Sequence, residues 1–132
     1  MAASPAGPKA DLTVSVEGLR NDHGAVMLCL TRRGEAQFLQ CNQDPAKVSR
    51  VVPAGQSKAI LFEGLEPGDY SVMMVHDENR NGKLDKMMGI PKEGFAFSRN
   101  PAIRMGPPHY ADVHFMLTPG AHRQVLHVKY LL

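Results

Sequence analysis

Nine consecutive residues, Asp77-Glu78-Asn79-Arg80-Asn81-Gly82-Lys83-Leu84-Asp85, carry the most specific chemistry in the chain. Oxygen-bearing side chains recur at Asp77, Asn79, Asn81 and Asp85, as in the first part of an EF-hand-type calcium loop. A hard cation such as calcium takes oxygen ligands, and alternate side chains of a sharply turning loop converge on one ion. Gly82 permits the reversal, Lys83 offers its backbone carbonyl, and Leu84 anchors the loop to a core. Where the EF-hand has its bidentate glutamate this chain has Met88, so Glu93, further along, is expected to close the shell. The expected ligand set is therefore Asp77, Asn79, Asn81, Lys83, Asp85 and Glu93. So few carboxylates predict weak binding, on the order of 10⁻⁴–10⁻³ M. The alternative is a metal-free loop in which Asn and Asp satisfy backbone N–H groups through Asx turns.

A second set of residues, Met73, Met74, His76, Met87, Met88, Met105, His109 and His114, has the soft thioethers and imidazoles of a copper or haem carrier. Strand alternation puts Met73 and Met74 on opposite faces, and methionine also serves as an adaptable core filler. Hydrolysis by a periplasmic hydrolase or metal-dependent enzyme would draw on His76, His109 and the loop carboxylates. Ser98 lies in Phe97-Ser98-Arg99, with no G-x-S-x-G elbow around it, and no spacing implies an activated nucleophile. The leading expectation is a non-enzymatic protein. Cys29 and Cys41, twelve residues apart, either close a disulfide or stay as two reduced thiols.

These residues sit in a chain of 132 residues, enough for one domain with a real core. Hydrophobic residues make up 43% and charged residues 21%, which excludes wholesale disorder. Net charge is +2 and the 15 basic residues are scattered, so no nucleic-acid footprint is visible. No apolar run reaches the roughly 18 residues of a membrane span. Residues 1–10 read as a flexible start without the apolar core of a signal peptide, and residues 11–132 as one domain.

The positioning elements are strands. Leu12, Val14 and Val16 alternate with polar residues, and Val26, Leu28 and Leu30 form one face of a second strand, with Met27 and Cys29 on the other. Further strands are expected over 48–52, 59–62, 70–76, 110–117 and 124–131. Asn21-Asp22-His23-Gly24 and Pro67-Gly68 mark turns, and Thr118-Pro119-Gly120 a hairpin between the last two strands. The pattern predicts an all-β fold, a seven-stranded immunoglobulin-like or transthyretin-like β-sandwich. Residues 77–109 break the rhythm as one long, ordered loop, expected to carry the function.

The stretches GLRNDHG (18–24), LEPGDY (65–70), HDENRNGKLD (76–85) and GIPKEGFAFS (89–98) occur in this order. Together they resemble a family of small bacterial proteins known only as a domain of unknown function. The resemblance implies export to the periplasm or beyond the cell, and with it the Cys29–Cys41 disulfide. It implies no activity. The combined expectation is an exported sandwich whose calcium-ordered loop presents His76, Phe95, Phe97, Ser98 and His109 to a protein partner or small ligand. Exposed sheet edges make a homodimer a further expectation.

Overall fold

Alternation dictates the first sheet. In β1 (Ala10–Glu17) the side chains of Ala10, Leu12, Val14 and Val16 are buried, while Asp11 and Thr13 stay partly exposed. The structure, a computed structural model, describes residues 8–80, 86–87, 90–91, 93–103 and 106–131; at residues 36, 86–87 and 90–91 it describes the backbone. The expected flexible start thus lies largely outside the described residues, and β1 already begins at Ala10.

Nine more strands follow: β2 (Ala25–Thr31), β3 (Val48–Pro53), β4 (Ile60–Leu65), β5 (Gly68–Asp77), β6 (Lys86–Met87), β7 (Ile90–Pro91), β8 (Gly94–Phe97), β9 (Phe115–Leu117) and β10 (Gly120–His127). One sheet has the order β10-β1-β4, with β10 parallel and β4 antiparallel to β1. The other has the order β3-β2-β5-β8, with β9 pairing the start of β5. Between them lies the main core, including Leu12, Val14, Leu28, Phe62, Val72, Met74 and Leu126. The expected all-β, two-sheet architecture is what the chain adopts.

The outer face of the larger sheet is covered as well. Met73, which faces away from Met74, packs against a second cluster of Phe38, Phe95, Phe97 and Val113. Phe38 comes from a 3-10 helix over Glu35–Gln43, kinked at Gln40. The Cys29–Cys41 disulfide clamps that helix to β2, with the two Cα atoms 6.1 Å apart. Cys29 faces outward from β2, as alternation requires, so the sulfur reaches the helix rather than the core.

Three expectations are corrected. The segment 77–109 is not loop throughout, because Gly94–Phe97 forms β8, with all four residues buried. Residues 118–120 do not close a hairpin, because β9 pairs with β5 and β10 with β1 in the opposite sheet. The expected strand over 110–117 also starts late: Tyr110–Asp112 is a 3-10 turn and only Phe115–Leu117 is strand. Beyond β10, Lys129 bridges to Phe95, so the chain's end ties one sheet to the edge of the other.

Candidate functional site

β5 and β8 run antiparallel and their ladder ends with His76 opposite Gly94, so Asp77 and Glu93 are the residues that adjoin this last pair. Both carboxylate residues are buried, at 2% and 5% exposure. One oxygen of Glu93, Oε2, accepts the Glu78 backbone N–H at 2.7 Å. Asp77 starts a turn whose carbonyl accepts the Arg80 N–H at 3.3 Å, with Arg80 at a left-handed φ of 56°. Two expected ligands sixteen positions apart are thereby brought to one end of the sheet, at either side of the acidic nonapeptide. Asn79 lies in the same turn. Asn81, Lys83 and Asp85 lie outside the described residues. Among the described residues, no three His, Cys, Asp or Glu side chains converge as a metal-binding group.

A polar network braces this end from beneath. The turn after β1 presses its Gly24 backbone so close to the strand end that a Cβ there would lie 2.1 Å from the Asp77 carbonyl oxygen. Arg80 Nη2 donates to that glycine's own carbonyl at 3.1 Å. Arg20, on the same turn, donates through Nε to Glu78 Oε1 at 2.6 Å and lays its guanidinium 4.4 Å over the Tyr130 ring. The Arg20 hydrogen bond holds the Glu78 carboxyl below the usual carboxylate range, outweighing the effect of its partial burial. Burial pushes the Tyr130 phenol up.

His76 is fully buried within this network. Its Nε2 lies 2.8 Å from the His23 carbonyl, which accepts only, so Nε2 carries the hydrogen. Its Nδ1 lies 2.9 Å from Tyr130 Oη, which in turn accepts the Arg20 backbone N–H at 3.0 Å. Both ring nitrogens are therefore occupied by protein. His76 braces the site instead of facing a ligand.

The other expected binding residues divide by position. Phe95 and Phe97 turn into the second cluster, under a tenth exposed, and contribute packing rather than a presented surface. Ser98 is buried, accepting the Val72 N–H at 3.2 Å and donating to the Val113 carbonyl. His109 is exposed at the rim of a cavity near the start of β5, beside Tyr110 and His114. Asp69, which binds both of those residues, is seven residues from His76 along β5, a separation of about 23 Å. His76 and His109 thus sit at opposite ends of the strand, and a hydrolytic site built on both does not assemble. Met73 and Met74 face opposite sides of the sheet, as alternation requires.

Sequence reading missed Arg20, Glu78 and Tyr130. Nothing in local spacing joins residues 20, 78 and 130; only the ladder that brings Lys129 beside Phe95 does.

No described helix is long and apolar enough to cross a membrane. Two solved structures of a pilus-presented adhesin (Cpa) are similar to the chain, at 14% and 13% identity and TM-scores of 0.39, over 91% and 95% of it; the matched part is 27% of the adhesin chain. Comparison with curated proteins finds no match. The model of the family described as "Uncharacterized protein conserved in bacteria (DUF2141)" matches residues 14–125, and the chain belongs to that family.

Proposed function

We propose that this is an exported, immunoglobulin- or transthyretin-like β-sandwich. In this reading a weak calcium site organises the connection after β5, and the ordered loop is a binding surface for a protein or small ligand. The observation that carries it is that Asp77 and Glu93, two buried carboxylate residues, adjoin the last β5–β8 pair at the two ends of a segment of calcium-ligand composition. Burying carboxylates is costly unless they are hydrogen-bonded or coordinated, and Glu93 spends one oxygen on the Glu78 N–H. Carboxylate and side-chain amide oxygens are the ligand types that a hard dication takes. Export is supported by the Cys29–Cys41 disulfide, since such bonds persist in oxidising compartments.

The test is a calcium titration of chelator-stripped protein, followed by calorimetry and thermal melting, beside Asp77→Asn and Glu93→Gln. With a dissociation constant of about 1 mM, about 10 mM calcium stabilises the folded chain by roughly 1.4 kcal/mol. That stabilisation is expected in the wild type and absent in both variants. An unchanged melting temperature throughout would overturn the reading and leave the loop held by its own Asx turns.

A further inference from the structure

At the other end of β5, the disulfide-clamped 3-10 helix and the segment after Gly106 border an open-mouthed cavity of about 710 Å³. That is the size range of small-molecule sites. Phe38, Leu39, Pro107 and Pro108 give it apolar walls. Its polar side chains are Glu35, His109, Tyr110 and His114. Glu35 supplies a carboxylate, Phe38 and Tyr110 supply aromatic rings, and no Lys or Arg lines it among the described residues.

His114 completes the set. Its Nδ1 lies 3.0 Å from Asp69 Oδ1, while the Tyr110 hydroxyl donates to Asp69 Oδ2 at 2.7 Å. Burial raises the Asp69 carboxyl, but these two hydrogen bonds outweigh it and hold the group below its ordinary range. An ionised Asp69 accepts, so Nδ1 of His114 carries the hydrogen and Nε2 is the ring nitrogen that Asp69 leaves unused. Nε2 has no hydrogen-bond partner among the described residues. The imidazole is held flat against the Tyr110 ring, with centroids 4.8 Å apart and planes at 20°. Burial and Asp69 push the Tyr110 phenol up to about 12, so it stays a donor to Asp69.

A cavity offering a carboxylate, an imidazole held by Asp69 and aromatic rings, with apolar walls and no Lys or Arg among its described lining residues, suits one ligand chemistry. We propose that it binds a small organic ammonium ion, with the charged head between Glu35 and His114 Nε2 and an apolar body against Phe38, Leu39 and the two prolines. This site is independent of the calcium reading, being at the far end of β5 from Asp77 and Glu93.

The test uses the whole chain near pH 7.5, with chelator and again with calcium, titrated with benzylammonium, benzyl alcohol and benzoate. Binding is followed by ¹H–¹⁵N spectra of the histidine rings and backbone. Benzylammonium is expected to saturate in the millimolar range in both conditions and to move the His114 Nε2 signal. The alcohol and benzoate are expected to bind at least about tenfold more weakly. Glu35→Gln, a change at the cavity rim, should weaken benzylammonium by about tenfold and leave benzyl alcohol unchanged. His114→Phe, with its melting curve checked, should remove the preference for the amine over the alcohol. Equal binding of the three probes, tighter binding of benzoate, or no saturation by benzylammonium up to about 20 mM would each overturn the proposal.

Discussion

His76 and Tyr130, 54 residues apart, share a hydrogen bond of 2.9 Å between Nδ1 and the phenolic oxygen at the closed end of the sandwich. Their rings meet edge to face at 6.1 Å. The contact is possible only because residue 94, next to both, is glycine: a Cβ there would fall 2.4 Å from the Tyr130 ring. Strand β5, strand β8 and the chain's last segment are thereby locked beneath the loop that begins at Asp77.

Removing the hydroxyl alone isolates the polar part of that lock. In Tyr130→Phe the ring still fills its place under Arg20, but His76 Nδ1 loses its donor and the Arg20 N–H loses its acceptor. Leaving the buried His76 nitrogen unpaired costs about 1–3 kcal/mol. Urea unfolding should show this as a lower midpoint with an unchanged slope. A midpoint equal to the wild type's would mean that water replaces the hydroxyl without penalty.

Gly24 tests the contact between the turn after β1 and the strand end. It combines a left-handed φ of 66° with an approach that would bring a Cβ to 2.1 Å from the Asp77 carbonyl oxygen and 2.7 Å from the Glu78 backbone. Gly24→Ala therefore strains its own backbone and drives the turn away from the loop. A loss of about 3 kcal/mol is expected. Gly55→Ala is the control, since its Cβ would meet only Asp22 at 3.9 Å. That control should stay within about 0.5 kcal/mol of wild type in the same measurement.

The contrast between these residues and β8 shows what was legible in the sequence. Strands with one face toward the core announce themselves by alternation, so β1, β2 and β5 were readable from Leu12, Val26 and Val72 and their neighbours. Strand β8 is buried on both faces, and Gly94-Phe95-Ala96-Phe97 therefore has no alternation to read. The outward-facing Cys29 was legible, but the 3-10 helix that receives it was not, because its amphipathic signal is weak. At the candidate site, Asp77 and Glu93 were legible as ligand types. Arg20 and Tyr130 were not, since only long-range sheet pairing places them there. The same holds for Asp69, whose partners Tyr110 and His114 lie 41 and 45 residues away.

The disulfide ties the outer layer to the sheet. Closing a chain segment of this length stabilises by about 3 kcal/mol in the chain-entropy account. The double substitution of Cys29 and Cys41 by Ser is expected to lower stability by that order. It should also raise amide exchange across Glu35–Gln43 more than across β1, because the helix loses its covalent attachment to β2. Equal exchange in both regions would show that Phe38 alone, packed against Phe97 and Tyr110, holds the helix in place.

Arg20 and Glu78 give the site an acid limit whose direction follows from the pairing. The Glu78 carboxyl, bonded by Arg20, titrates below its ordinary value of 4.5 in the folded chain. Between the ordinary and the lowered values the unfolded chain binds more protons, so stability falls as pH drops through that window. The contribution is fully present above the ordinary value and absent once folded Glu78 is protonated. Arg20→Gln removes the cause. Its melting temperature should lie below the wild type's at neutral pH, and the gap should narrow as pH falls below about 4.5. The Arg20 guanidinium also lies over Tyr130 at 4.4 Å, a contact that Glu78 protonation does not break. Packing alone would hold the gap constant as pH falls, so the pH course separates the ion pair from the stacking.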